Sequence, residues 1–152
     1  MKKRILKFLN IVVYPFFRFY WFIFRPKTHG VKIVLTYGRK ILFIRHSYRK
    51  GWGFPGGGIR PQENKENAIK REVKEEIGIG ITELMYLGFF ESNIEYKKDT
   101  VHIFTTPLST ERVFIDNIEI EEARWFPLDA LPPLGSRSKK VISMYESQFK
   151  KN

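Results

Sequence analysis

The chain has 152 residues, 43% hydrophobic and 28% charged, a composition that fits one globular domain with room for a short appendage and excludes a disordered or collagen-like chain. Cysteine is absent, which excludes disulfides, thiolate catalysis, zinc–cysteine sites and iron–sulfur clusters. The net charge of +11 is concentrated: residues 1–30 hold seven basic side chains and no acidic one, leaving 20 of the 27 basic residues against all 16 acidic ones in the remainder.

That first segment also carries nine of the 24 aromatics, all before Arg25. Its basic start resembles a secretory signal, but large aromatics and Arg25-Pro26-Lys27 stand where a small-residue cleavage site is expected. Lys7 and Arg18 leave ten uncharged residues between them, with Pro15 inside, too few for a spanning helix. On a helix, Lys7, Arg18 and Arg25 fall within about 20° of one another. A narrow basic stripe on an aromatic helix suits a membrane interface, where the cations reach anionic head groups. The alternative is a helix packed on the domain or on a second copy of the chain. The segment 1–30 is therefore set apart from a domain over residues 31–150.

Beyond it, Val31 to Tyr37 predicts a strand, Gly38-Arg39-Lys40 a turn and Ile41 to Arg45 a second strand. Gly51 to Gly58 is too rich in glycine for a helix or central strand and predicts a loop that lets backbone approach something closely. A helix is expected from Asn64, a good N-cap, to Ile77, with Gly78 as its stop. Ile69, Val73 and Ile77 form its apolar stripe; Glu72, Glu75 and Glu76 lie on a different side, with Ala68 leaving room one turn below. Thr82 to Glu91 and Val101 to Leu108 read as hairpin strands with a turn at Lys97-Lys98-Asp99. Glu122 to Phe126 reads as a short strand ended by Pro127, and Leu128 to Gly135 as a loop. Ser136 is the expected cap of a last helix with Val141, Met144 or Tyr145, and Phe149 inward. Mixed strands with one internal and one terminal helix predict an α+β domain built as an α/β/α sandwich.

The chemistry concentrates in Gly57-x5-Glu63-x7-Arg71-Glu72-Val73-x-Glu75-Glu76-x-Gly78-Ile79. Three carboxylates on one helix face repel unless cations balance them. Oxygen ligands of this kind suit hard divalent cations, magnesium above all, which needs few carboxylates when substrate phosphates supply the rest. The glycine loop can add backbone groups to the same place, and Arg71 can orient a carboxylate. A merely solvated acidic face explains the glutamates but not the spacings. Seven fixed identities coincide by chance on the order of once in 10⁹ placements.

The 23 residues from Gly57 to Ile79 resemble a complete Nudix box, the signature of the Nudix hydrolases. Trp52 to Gly58 is similar to the usual lead-in, and Glu119 to Leu128 to the usual segment before the last helix. The resemblance implies a Nudix fold, with a mixed sheet between helices. It implies magnesium or manganese at Glu72, Glu75 and Glu76, with the Gly57 carbonyl as a further ligand. Glu75, Glu76 and Arg71 become the expected catalytic residues, Glu63 a supporting one, and Glu119, Glu121 and Glu122 the candidate bases outside the box. The reaction implied is metal-assisted water attack on a nucleoside diphosphate linked to another moiety.

Arg45, Phe54 and Glu122 are expected to touch substrate, with Arg49, Lys50, His46, Trp52 and Trp125 as further candidates. The pattern Ser-Gln-Pro-Trp-Pro-Phe-Pro expected of NADH pyrophosphatases is absent, as is the proline expected of ADP-ribose pyrophosphatases. Tyr96 stands near the position where dinucleoside-polyphosphate hydrolases carry a tyrosine. Two readings compete with this one: a binding or regulatory module without turnover, and a membrane-associated hydrolase of non-nucleotide diphosphates. The expected partners are a small-molecule diphosphate, an anionic membrane through residues 1–25, and a second copy of the chain. Nucleic acid is not expected, because the basic excess sits on an apolar segment. The expected location is the cytoplasm, peripheral to the inner face of the membrane if the segment binds lipid.

Overall fold

The computed structural model describes residues 27–48, 50–92, 98–115 and 118–149. The expected N-terminal helix lies outside them. Among the described residues no helix is long and apolar enough to cross a membrane.

The elements are strands β1 (Lys27–Tyr37) and β2 (Lys40–His46), helix α1 (Lys65–Ile77), strands β3 (Met85–Ser92), β4 (Lys98–Pro107) and β5 (Ile120–Pro127), and helix α2 (Ser136–Phe149). The strands form one mixed sheet in the order β3-β4-β1-β2-β5. β1 and β4 run parallel at its centre over Lys27–Thr36 and Lys98–Pro107, and the other pairs are antiparallel. The β1–β2 turn is Gly38-Arg39, with Gly38 at φ 55, a conformation that glycine adopts without strain.

Two apolar layers cover the sheet. On one face Val31, Ile33, Leu35, Leu42, Ile44 and Phe104 pack with Ala68, Ile69, Val73 and Ile77 of α1. On the other, Val34, Ile41, Phe43, Val101 and Ile103 pack with Val141 and Ile142 of α2. β1, β2 and β4 are thus buried on both sides, which is why they read as apolar runs and not as alternating ones. The expected α/β/α sandwich is the observed one.

Helix α1 has the expected ends. Asn64 Oδ1 accepts from the Asn67 N–H at 2.7 Å, and Gly78, at φ 72, donates to the Lys74 carbonyl. Other boundaries differ. β1 starts at Lys27, four residues early, because its parallel partner β4 also extends back, to Lys98. Lys98 and Asp99, expected in a turn, are strand residues: Asp99 pairs with Ser92 and accepts from Thr28 Oγ1 at 2.9 Å. β3 begins at Met85, not Thr82. Ile81 and Leu84 pack on the α1-side core as irregular chain, gaining burial without pairing. In α2, Gly135 and not Ser136 is the cap, since its carbonyl accepts from Lys139 N. Ile142 is buried, whereas Phe149 is 46% exposed and its ring lies tilted against Tyr145, centroids 4.8 Å apart.

Ile69→Ala should therefore cost about 2–5 kcal/mol of stability, the usual loss for an aliphatic cavity. Phe149→Ala should stay within about 0.5 kcal/mol. Urea unfolding of the two variants checks this.

Candidate active site

β1 and β2 pair only at Thr36–Ile41 and Tyr37–Lys40 and then diverge. The glycine-rich loop fills the gap between them. Gly53 exchanges two backbone bonds with Ile44 on β2, both 2.9 Å. On the β1 side, Ile33 N donates to Pro55 O (3.1 Å), Val31 N to Gly57 O (2.9 Å), and Ile59 N to His29 O (2.9 Å). So close an approach explains the glycines. A Cβ on Gly56, whose φ is 127, would stand 2.2 Å from the Val31 carbonyl oxygen. One on Gly57 would stand 2.5 Å from the Glu72 carboxylate.

The loop thereby lies across the acidic side of α1. Gly56 N donates to Glu76 Oε2 at 2.8 Å, and Glu76 is only 6% exposed. The loop covers Glu76 and leaves Glu75 exposed, and Ala68, expected to leave room beside the carboxylates, is buried in the α1-side core. Burial pushes the Glu76 carboxyl up to about 7, against the opposing pull of Lys32 and the Gly56 N–H; the charges of Glu72 and Glu119 push it the same way as burial.

Arg71 ties the parts together. Its Nε and one terminal nitrogen grip Glu63 at 2.8 and 2.9 Å, and that second nitrogen also donates to Gly58 O at 3.0 Å. The other terminal nitrogen holds Glu72 Oε1 at 2.6 Å and reaches Glu75 Oε2 at 3.5 Å. Glu63 accepts as well from Arg60 N, and with Arg71 this holds its carboxyl down at about 2. Glu75 is 46% exposed and 3.3 Å from Arg60. Among the described residues no three acidic or histidine side chains converge tightly enough to hold an ion. The donor set nonetheless fits a hard divalent cation: three carboxylates lie on one turn and a half of helix, and the missing Cβ of Gly57 makes room for one of them.

Other expected site residues are placed differently. Phe54 is 2% exposed and packs 4.7 Å from Phe43 in the α2-side core, so it cannot stack on a ligand. Arg45 and Glu122 face each other across β2 and β5 at 2.8 Å, and Glu122 also pairs with Arg124. Both arginines lie over the Trp52 ring, at 5.4 and 5.5 Å, where a base would have to stack. Trp125 is anchored by its indole N–H on Glu111 O. The Gly57 carbonyl, expected as a ligand, accepts from Val31 N. Of the three candidate bases outside the box, Glu119 is the one whose charge acts on Glu76, while Glu121 and Glu122 pair with Arg45. Arg49 and Tyr96 lie outside the described residues.

Two residues were missed by the sequence reading. Arg60 meets Glu75, and Lys32 Nζ donates to the carbonyls of Phe54 (2.8 Å) and Gly56 (2.5 Å). Lys32 carried a signal, as the one charged residue in the Val31–Leu35 run. A cleft of about 660 Å³ opens beside the loop, lined by His29, Arg60, Glu63, Lys65 and His102 among others.

The raised Glu76 fixes a sign for stability. A carboxyl raised from 4.5 to about 7 stabilises the fold most below pH 4.5, and that contribution is lost as pH rises through 7. Without metal, Glu76→Gln should therefore be more stable than the parent at pH 8 by about 1–3 kcal/mol, and equal to it near pH 4. Urea midpoints in EDTA at the two pH values test this.

The NUDIX domain family matches residues 26–145. The NAD-capped RNA hydrolase NudC of Pseudomonas aeruginosa is 31% identical over 121 residues, 78% of this chain and 41% of that protein. The putative 8-oxo-dGTP diphosphatase YtkD of Bacillus subtilis is 43% identical over 68 residues, 45% of this chain and 42% of that one. The chain thus spans less than half the length of these curated relatives. The crystal structure of the MutT protein from Methanosarcina mazei shares the fold, with a TM-score of 0.74 at 22% identity, covering 84% of this chain and 99% of that one. The roofed carboxylate turn, its arginine clamp and these matches agree: the chain belongs to the Nudix family.

Proposed function

We propose that this protein is a divalent-metal-dependent hydrolase of a diphosphate that links a nucleoside to another moiety. The observation that carries the reading is the turn of α1 that sets Glu72 and Glu76 against the glycine loop with Glu75 beside them, Arg71 holding Glu72 at 2.6 Å. The names of relatives point the same way, to NAD-capped RNA, 8-oxo-dGTP and RNA pyrophosphate bonds. The absence of the Ser-Gln-Pro-Trp-Pro-Phe-Pro pattern weighs against NAD-type substrates for this chain.

Glu72, Glu75 and Glu76 would hold magnesium or manganese. Such a cation, when bound, neutralises phosphate oxygens and lowers the pKa of its water. The chain's own groups do the rest. Arg71 keeps the Glu72 carboxylate in one orientation, and Glu63 keeps Arg71 in place. Gly56 N fixes the rotamer of Glu76. Glu75, the most exposed of the three, can take the proton of an attacking water. Closure of the loop over α1 keeps bulk water from the buried side of the site.

A panel of nucleotide sugars, dinucleoside polyphosphates, oxidised nucleoside triphosphates and non-nucleotide diphosphates, assayed with magnesium for released phosphate groups, identifies the substrate. Glu72→Gln and Glu76→Gln should each lower turnover by at least about 10²-fold on the substrate so found. Equal turnover in EDTA and in magnesium would refute the metal reading, and no turnover on any member would favour a binding module.

Residues 1–25 form part of this proposal as a contact with an anionic membrane, on the strength of their basic, aromatic composition. Removing them while keeping Lys27, where β1 begins, should abolish binding to anionic vesicles and leave the hydrolytic rate on a soluble substrate unchanged. Aggregation of the shortened chain would instead assign the aromatics to a protein interface.

A further inference from the structure

Lys32 is a charged residue on a central strand whose neighbours Val31 and Ile33 are fully buried. An ammonium in such a place is costly unless its hydrogens are taken up. The loop takes them up in a regular way. Its carbonyls alternate in direction: Pro55 and Gly57 accept from the β1 backbone at Ile33 and Val31, while Phe54 and Gly56 accept from Lys32 Nζ. Gly56 therefore carries two messages. Its N–H binds the buried Glu76 carboxylate at 2.8 Å, and its carbonyl binds the Lys32 ammonium at 2.5 Å. The positive charge of Lys32 is felt at Glu76.

Backbone carbonyl oxygens are donors that a hard divalent cation takes beside carboxylates, and the Gly56 carbonyl belongs to the residue whose N–H holds Glu76. Here the oxygen is already taken by a cation that cannot diffuse away. We infer that Lys32 is a tethered cation of the glycine loop, standing on its carbonyls in place of one divalent ion, so that the chain binds fewer metal ions than its carboxylates and glycine loop would otherwise hold. The inference rests on the metal-dependent reading above. Magnesium–oxygen bonds are ~2.1 Å, so an ion sharing the Gly56 oxygen would lie within about 5 Å of Nζ. Even with the screening of bulk water, repulsion at that range lowers the ion's affinity by about tenfold or more. Lys32 is thus a positioning residue: it acts through the loop and through the number of ions and does not touch the reacting atoms.

The test is a manganese titration of the full chain, read by the electron paramagnetic resonance signal of free Mn²⁺, for the parent, Lys32→Met and Lys32→Arg. Lys32→Met shortens the side chain by one atom and removes the charge. It should bind one additional Mn²⁺ per chain, at concentrations at least about tenfold below any that load a further ion on the parent. Lys32→Arg, which keeps the charge, should match the parent. Unchanged or weaker binding by Lys32→Met overturns the inference. If the parent binds no Mn²⁺ and Lys32→Met binds one, the metal reading of the native chain fails while the inference stands; if neither binds, both fall. Should Lys32→Met not fold, a crystal of the parent soaked in Mn²⁺ decides. Anomalous density on the Gly56 carbonyl with Nζ displaced overturns the inference, and Nζ retained on that oxygen supports it.

Discussion

The gap between β1 and β2 is the constraint from which the rest of the site follows. The two strands share two residue pairs and then part, and the sheet stays continuous only because Gly53 to Ile59 bonds to both sides of the opening. A chain segment that replaces a strand partner must come within backbone hydrogen-bond range along its whole length. That requirement excludes side chains where the loop passes over Val31 and over Glu72, and glycine stands at both positions. The same insertion lays Gly56 N against Glu76 and Gly58 O against Arg71. The roof of the site and the integrity of the sheet are one set of bonds.

Charge is arranged around that roof with little slack. Glu63, Glu72 and Glu75 meet Arg71 and Arg60, Arg71 also donates to the loop at Gly58 O, and Lys32 donates to the loop carbonyls of Phe54 and Gly56. Arg71 suits the central place because its planar fork serves several acceptors at once. Glu76 is the outlier, a carboxylate without a direct guanidinium partner in these contacts, buried and raised to about 7. A group held this way weakens the metal-free fold at neutral pH, and a cation bound beside it would relieve that cost, linking metal affinity to fold stability through one side chain.

Interactions that are local in the chain were legible from residue order. The ends of α1 follow from Asn64 and Gly78, whose capping bonds reach only three or four residues. The turn at Gly38, the buried stripe of Ile69, Val73 and Ile77, and the strands β1 and β2 follow from periodicity and turn chemistry. The box spacing placed Glu72, Glu75, Glu76 and Arg71 on one helix, because 3.6 residues per turn is a property of any helix.

What the tertiary structure decided are the contacts between segments far apart in the chain. Ile81 and Leu84 carry a strand-like pattern yet pack as irregular chain, since the core beneath α1 offered them burial without a pairing partner. Phe54 turned into the core and Trp52 came to lie under two arginines, because the loop that carries them is wedged between strands and its side chains point where the sheet allows. Glu76 was an acid on a helix face until a loop 20 residues away covered it. Lys32 was a charge inside an apolar strand whose partners, 22 and 24 residues distant, no local rule supplies. Residue order by itself determined the elements, the family signature and the identity of the acidic face. Burial, and with it the protonation and pairing of each charge on that face, was set by segments brought together only in the folded chain, because desolvation depends on every neighbour in space and not on neighbours in sequence.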